Sequence, residues 1–217
     1  MRKTVSAFLS LVFILSAIAA SGARAEQQTK TLPAPLMEGG APLMTALAKR
    51  QSIRAFDTKA LPAETLSNLL WAAFGVNRKD KEERTAPSWR GSKATDIYVA
   101  TPEALWLYDP VKHALSHVMD GDLRERTGRQ PFPATAPLVL IYVADRARMA
   151  EAPEADHYVY AHADAGFISQ NVYLFASSEG LATVVLGNVE KPELAKAMKL
   201  RGNQILTFTQ PVGFPSP

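Results

Sequence analysis

Arg50, Ser52 and Arg54 stand at alternate positions in Ala48–Asp57, AKRQSIRAFD. On a helix Arg50 and Arg54 would share a face and Ser52 would point elsewhere. In an extended segment all three line one side. Two guanidinium forks and a hydroxyl then converge on one spot. That suits a phosphate dianion, because arginine pairs bidentately with phosphate oxygens and keeps its charge at any accessible pH. The competing reading is three polar residues on a solvated edge. Elsewhere the chain shows no familiar catalytic arrangement. G-x-S-x-G, H-E-x-x-H, a P-loop and a G-x-G-x-x-G after a strand are all absent. No cysteine is present, which excludes thiol nucleophiles, thiolate metal sites and disulfides. Of the four histidines, His113 and His117 fall on a predicted surface hairpin, and His157 and His162 on a predicted helix. A spacing of five turns His157 and His162 to different faces, so no metal site is expected there. A redox cofactor, if there is one, must be held by something other than these motifs.

The segment that precedes all of this reads as a targeting sequence. Residues 1–25 combine basic Arg2 and Lys3, an apolar run from about Val5 to Ala20, and Ala23-Arg24-Ala25 with small residues where a signal peptidase reads. This is the pattern of a secretory signal peptide, and it predicts a periplasmic or secreted protein. The alternative, a retained membrane anchor, needs about 17–25 apolar residues. No paired arginine precedes the apolar run and no cysteine follows it, so export as an unfolded chain and no lipid anchor are expected. The 24 Lys and Arg exceed the 21 Asp and Glu only because Arg2, Lys3 and Arg24 lie in this segment. Without them the balance is 21 to 21, which removes the case for nucleic acid or an anionic membrane as a partner. No membrane association is expected after cleavage. The 192 residues that follow suit one domain, residues 41–217, behind an irregular arm at 26–40.

The domain must position the arginine segment, and its elements are readable. A short helix over APLMTALAKR runs straight into it. LPAETLSNLLWAAFGVN is an amphipathic helix, with Pro62 at its start, an apolar stripe of Leu66, Leu69, Leu70, Ala73 and Phe74, and Gly75 or Asn77 at its end. A polar loop covers 78–93. Residues 95–120 predict three strands, with a turn at Asp109-Pro110, and GDLRERTGRQ a short helix. APLVLIYVAD is a strand buried on both faces. Residues 156–179 form a long helix with Ala161, Ala165, Ile168, Val172 and Phe175 at spacings of three and four, stopped by Gly180. The small residues Ala161, Ala163, Ala165 and Gly166 would let another helix come close. LATVVLGN reads as a strand, EKPELAKAMKL as a helix and NQILTFTQPVGF as the last strand. Antiparallel strands mixed with long helices give an α+β layer architecture.

RQSIRAFD, RTAPSW, GDLR, DAGFISQNVYLFASSEGLATVVLG and QPVGFP, in that order, resemble the nitroreductase family of flavoproteins. The nearest branch is the one related to dehydrogenases of thiazolines and oxazolines. The resemblance runs from about Leu43 to Pro215. It implies a central, mostly antiparallel sheet flanked by helices, in a homodimer with two FMN molecules at its interface. It implies that Arg50, Gln51, Ser52 and Arg54 hold the FMN phosphate and ribityl chain. Pro87 and Ser88 resemble the loop that meets the flavin, often from the partner subunit. Val185, Leu186, Gly187 and Asn188 resemble the strand end whose backbone amides approach the isoalloxazine. The long helix resembles the central dimer helix. FMN supplies the redox chemistry and the protein supplies binding, orientation and electrostatics. No side chain need act as acid or base, so no catalytic residue is expected.

Three features depart from that family pattern. Where many members place an Asn and a Gln after the Pro-Ser loop, this chain has Gly91 and Lys93. Lys93 is a candidate cation for the flavin N1 edge, and otherwise a solvated loop lysine. Basic residues that many members carry after the final Pro-x-Gly are replaced here by an end at Pro217, which leaves more of the phosphate to Arg50 and Arg54. Export would separate the protein from NAD(P)H, the usual donor. The leading expectation is an FMN-dependent oxidoreductase acting on a nitro compound, quinone or similar small molecule. Trp71 and Trp89 could add an aromatic face to its pocket. The alternatives are a secreted binder of flavin or another planar ligand without turnover, and an enzyme that consumes its own flavin.

Overall fold

A computed structural model describes residues 28–217. The signal-peptide segment lies outside the described residues. In chain order the elements are β1 (Thr29–Thr31), α1 (Leu43–Lys49), α2 (Ala63–Phe74), β2 (Val76–Arg78), β3 (Glu83–Arg84), β4 (Thr95–Ala100), β5 (Ala104–Asp109), β6 (Ala114–Asp120), β7 (Leu138–Asp145), α3 (His157–Glu179), β8 (Ala182–Thr183), α4 (Lys191–Ala197) and β9 (Gln204–Gly213). Seven strands form one antiparallel sheet in the order β1-β6-β5-β4-β7-β9-β8, and β2 and β3 form a separate hairpin. This is the expected α+β arrangement, with a large antiparallel sheet flanked by helices.

β7 explains how the layers assemble. All eight of its residues are buried, and it lies between β4 and β9. Side chains alternate across a strand. Leu138, Leu140 and Tyr142 pack with Leu69, Leu70 and Ala73 of α2 and Ile168 and Val172 of α3. Val139, Ile141 and Val143 pack with Phe56, Leu105, Leu194 and Met198 on the opposite face. A continuous apolar run is therefore required, because neither face meets water. Sheet and helix are also tied by a buried polar pair. The Tyr142 hydroxyl donates to Gln210 Oε1 at 2.5 Å, and Gln210 Nε2 donates to the Ser169 carbonyl at 3.3 Å.

Helix boundaries follow the local signals. α2 begins directly after Pro62 and stops at Gly75. α3 ends where Gly180 enters the left-handed region at φ 68°, a conformation that costs glycine little. Two expectations are corrected. The arm at 26–40 is not wholly irregular, since Thr29–Thr31 pairs with Ala114–Ser116 at the sheet edge. LATVVLGN is not a full strand: only Ala182 and Thr183 pair continuously with β9, and beyond them a single bridge joins Leu186 to Thr209.

Candidate functional site

The segment after α1 is held from both sides. Arg50 closes the helix through its backbone N–H to the Ala46 carbonyl, then leaves with extended geometry. Ile53 N–H donates to Thr183 O, and Asp57 N–H to Phe214 O. Extended backbone splits the side chains by parity. Gln51 and Ile53 border a small cavity of about 170 Å³ with Tyr173 and Ser177 of α3. Ser52 and Arg54 are exposed, and Arg50 is half-buried. The Arg50 guanidinium lies 5.2 Å from the centre of the Tyr173 ring. Neither Arg50 nor Arg54 forms an ion pair among the described residues. Two permanent cations without carboxylate partners, on either side of a hydroxyl, have the chemistry of an anion receptor.

Tyr173 joins this segment to the strand end. Its hydroxyl accepts the Val185 N–H at 2.9 Å and shares a second 2.9 Å hydrogen bond with Ser52 Oγ. One phenol oxygen thus brings together two site segments that lie 133 positions apart in sequence. In the strand end, the Val185 N–H is engaged by Tyr173 and the Leu186 N–H by the Thr209 carbonyl. The Gly187 and Asn188 N–H groups have no partner among the described residues, and both residues are exposed. Gly187 also has no side chain to obstruct its front; a Cβ built there meets nothing nearer than Phe208, at 3.8 Å. Two free donors on an open glycine turn suit the carbonyl and nitrogen edge of a planar heterocycle. Tyr173 was not singled out from the sequence, where it reads as one more residue on a long helix. No local signal marks it, because both of its hydrogen-bond partners, Ser52 and Val185, lie outside α3.

Pro87, Ser88, Gly91 and Lys93 lie elsewhere. Ser88 Oγ accepts the Lys93 N–H at 3.0 Å, and the Ser88 carbonyl accepts the Gly91 N–H at 3.0 Å. Arg90, Gly91 and Lys93 all have positive φ, at 46°, 68° and 51°. Glycine at 91 fits this tight turn, while Arg90 and Lys93 hold a left-handed backbone that ordinary residues seldom adopt. Lys93 Nζ donates to the Lys81 carbonyl at 3.1 Å, so its ammonium faces the polar loop. The turn is anchored by Asp164 of α3, whose two oxygens accept the Trp89 N–H at 3.0 and 3.2 Å. Trp89 stacks on Tyr160 with ring centres 5.1 Å apart. Burial pushes the Asp164 carboxyl up to about 6, against the pull of the Trp89 N–H. Trp71 is half-buried between two surface grooves.

The predicted residues therefore form two groups on one helix. Asp164 and Tyr173 are nine residues apart, which is about 13 Å along α3 and roughly half a turn around it. Arg50 and Ser52 meet at Tyr173, which also holds Val185, two residues before Gly187, while Ser88, Gly91 and Lys93 share the turn that Asp164 anchors. Among the remaining histidines, His157 is buried and its Nε2 faces the Met149 and Ala152 carbonyls at 3.0 and 3.1 Å.

An antiparallel sheet packed on a long helix thus sets two arginines and a hydroxyl near an open glycine turn. Residues 47–214 match the nitroreductase family, and the chain belongs to that family. Similarity to known proteins agrees. The MJ1384 protein of Methanocaldococcus jannaschii, grouped by name with the nitroreductases, is 31% identical over 181 residues, covering 79% of this chain and 90% of that one. A crystal structure from Ralstonia eutropha JMP134, likewise described as a nitroreductase, is 42% identical with a TM-score of 0.84, covering 87% of this chain and 90% of its own. A Desulfovibrio desulfuricans relative solved in complex with FMN shares the fold at 21% identity and a TM-score of 0.60, over 82% of this chain and 88% of its own.

Proposed function

We propose that this protein is an FMN-dependent oxidoreductase that acts on a small organic substrate in the periplasm or outside the cell. The observation that carries the reading is the Tyr173 junction, which holds a phosphate receptor and an open, donor-rich glycine turn in fixed relation. The residues present fit FMN. Arg50, Ser52 and Arg54 would take its phosphate, and the free N–H groups of Gly187 and Asn188 would take the flavin edge. When bound, FMN supplies hydride transfer at its N5 position. The protein's part is to bind, orient and exclude water. Aimed N–H groups also favour the negative charge that a reduced flavin gathers near N1 and the C2 carbonyl.

A homodimer accounts for the distance between the two residue groups. One chain presents Pro87–Ser88 and Arg50–Arg54 to different sides of α3, so a second copy would bring its Pro87–Ser88 loop to the first copy's phosphate receptor. Exposed apolar residues on the same helix, Tyr158, Val159 and Phe167, support this. Export, read from residues 1–25, makes NAD(P)H a poor donor. A nitro compound, a quinone or an oxidisable heterocycle of the thiazoline type are the substrate classes in view.

Purified protein mixed with FMN and desalted should keep a band at about 450 nm, where oxidised flavin absorbs. Dithionite should bleach it, and a nitroarene or quinone should restore it. Arg50→Gln combined with Arg54→Gln should cut flavin retention by at least about tenfold, on the scale of two lost charge-assisted hydrogen bonds. A folded, colourless wild-type protein would reject the assignment.

A further inference from the structure

Three residues beyond Asn188 lies a second cationic group that neither flavin segment uses. Lys191 opens α4, and a hydrogen bond from its backbone N–H to the Val189 carbonyl at 2.8 Å fixes it close behind Gly187 and Asn188. Its ammonium lies 3.3 Å from His162 Nε2 and 5.9 Å from the centre of the Phe208 ring. Phe208 is the same ring that a Cβ on Gly187 would approach. His162 meets Phe208 edge-on at 5.2 Å and stacks on Tyr158 at 5.3 Å. An aromatic wall of Tyr158, His162 and Phe208 thus carries one ammonium beside the open glycine turn.

The hydrogen bonding orients the pair. His162 Nδ1 lies 2.7 Å from the Tyr158 carbonyl, which can only accept, so Nδ1 carries the proton. Nε2 then offers its lone pair to the Lys191 ammonium. A doubly protonated ring would set two cations face to face. One ammonium hydrogen is used on His162 and two are left to aim. Lys191 has no carboxylate partner among the described residues; its neighbour Glu190 is paired with Arg129. Half-burial pushes its ammonium below the usual lysine range. A half-buried cation with no anion in the protein gains most from an anion in a ligand.

Building on the flavin reading above, we propose that Lys191, steadied by His162, receives the carboxylate of a planar aromatic substrate beside Gly187. The site would thereby select carboxylate-bearing aromatics over neutral ones of the same shape.

The test uses FMN-loaded protein and two unreactive probes, benzoate and benzamide, titrated by calorimetry. Wild-type protein should bind benzoate at least about tenfold more tightly than benzamide, the scale of one charge-assisted hydrogen bond. Lys191→Met should bring the two affinities together by weakening benzoate alone, with the flavin band intact. Lys191→Arg should keep most of the preference. Lys191→Gln provides a polar replacement should the Met variant fold poorly. Equal wild-type affinity for the two probes, or a preference that survives both Met and Gln, overturns the inference. Loss of flavin in those variants also overturns it, because Lys191 would then be holding cofactor. A wild-type protein that keeps no flavin at all rejects the functional reading itself, which separates that failure from these.

Discussion

Tyr173 and Asp164 show how much of this site rests on single polar atoms. The Tyr173 hydroxyl is the acceptor for the Val185 N–H and the partner of Ser52 Oγ. Tyr173→Phe removes both bonds and adds no steric conflict. It should destabilise the fold by about 1–2 kcal/mol, the usual cost of orphaning a partly buried donor. It should also weaken FMN retention, since the phosphate segment and the strand end lose their common tie. Urea unfolding and equilibrium dialysis against FMN measure the two effects separately. Asp164 makes the opposite kind of contribution. Its carboxyl is held at about 6 against an ordinary 3.8, with burial the dominant cause. The folded state therefore binds a proton that the unfolded chain has already released. Below pH of about 4 both states are protonated and no penalty exists. As pH rises from about 4 to about 6 stability falls, by up to roughly 3 kcal/mol, and stays level above that. Asp164→Asn keeps an oxygen for the Trp89 N–H and removes the titration. The difference in stability between pH 4 and pH 7.5 should shrink in that variant by about 2–3 kcal/mol, read from urea midpoints at the two pH values. An unchanged difference would show that the carboxylate is well solvated.

At the scale of elements, the two glycines that end α3 and β9 should respond to alanine for different reasons. Gly180 has φ 68° and open space around a built Cβ, so Gly180→Ala meets only backbone strain, about 1 kcal/mol. At Gly213 the Cβ would sit 2.4 Å from Pro137 Cδ and 2.8 Å from its Cγ. A proline ring gives way poorly, so Gly213→Ala should cost more, about 1–3 kcal/mol, and shift the end of β9. Thermal melts of the two variants rank them directly. The same contrast shows what the sequence could reveal. α2, α3 and β7 were legible because each carries its own pattern: an apolar stripe closed by Gly75, an apolar stripe closed by Gly180, and the unbroken apolar run Leu138–Ala144. β1 was not, because Thr29–Thr31 is an exposed edge strand with no apolar alternation, and it pairs with β6 far away in the chain. LATVVLGN misled in the other direction. Its apolar run makes it look like a strand, yet continuous pairing ends at Thr183 and only the Leu186–Thr209 bridge follows. The site divided along the same line. The extended run that carries Arg50, Ser52 and Arg54 was readable because its alternation is local. Tyr173 and Lys191 were not, because each acts only through residues far away in the chain.

Over the whole molecule, the question is what covers the apolar surface that one copy leaves open. Met44 is 75% exposed and Leu43 62% on α1, and Phe167 is 48% exposed near the middle of α3. A groove of about 640 Å³, bordered by Met37, Leu43, Trp71 and Phe175, opens beside both helices. Isolated exposed apolar side chains are ordinary, but several on adjacent elements mark an interaction surface. Ala163 and Gly166 of α3 leave room for close approach, while Ala161 and Ala165 are turned into the protein's own core. The α3 face available to a partner is therefore narrower than the run of small residues suggests, and Phe167 stands at its edge. Since Pro87–Ser88 and Arg50–Arg54 lie on different sides of that helix, dimerisation and flavin retention should fail together. Phe167→Glu would place a charge in the proposed interface while leaving the monomer's core untouched, so monomer stability should change by less than about 0.5 kcal/mol. Light scattering should show a wild-type dimer become a monomer, and the monomer should lose its band at about 450 nm on desalting. A monomeric variant that kept its flavin would place the whole cofactor site within one chain, and Pro87–Ser88 would then have no part in it.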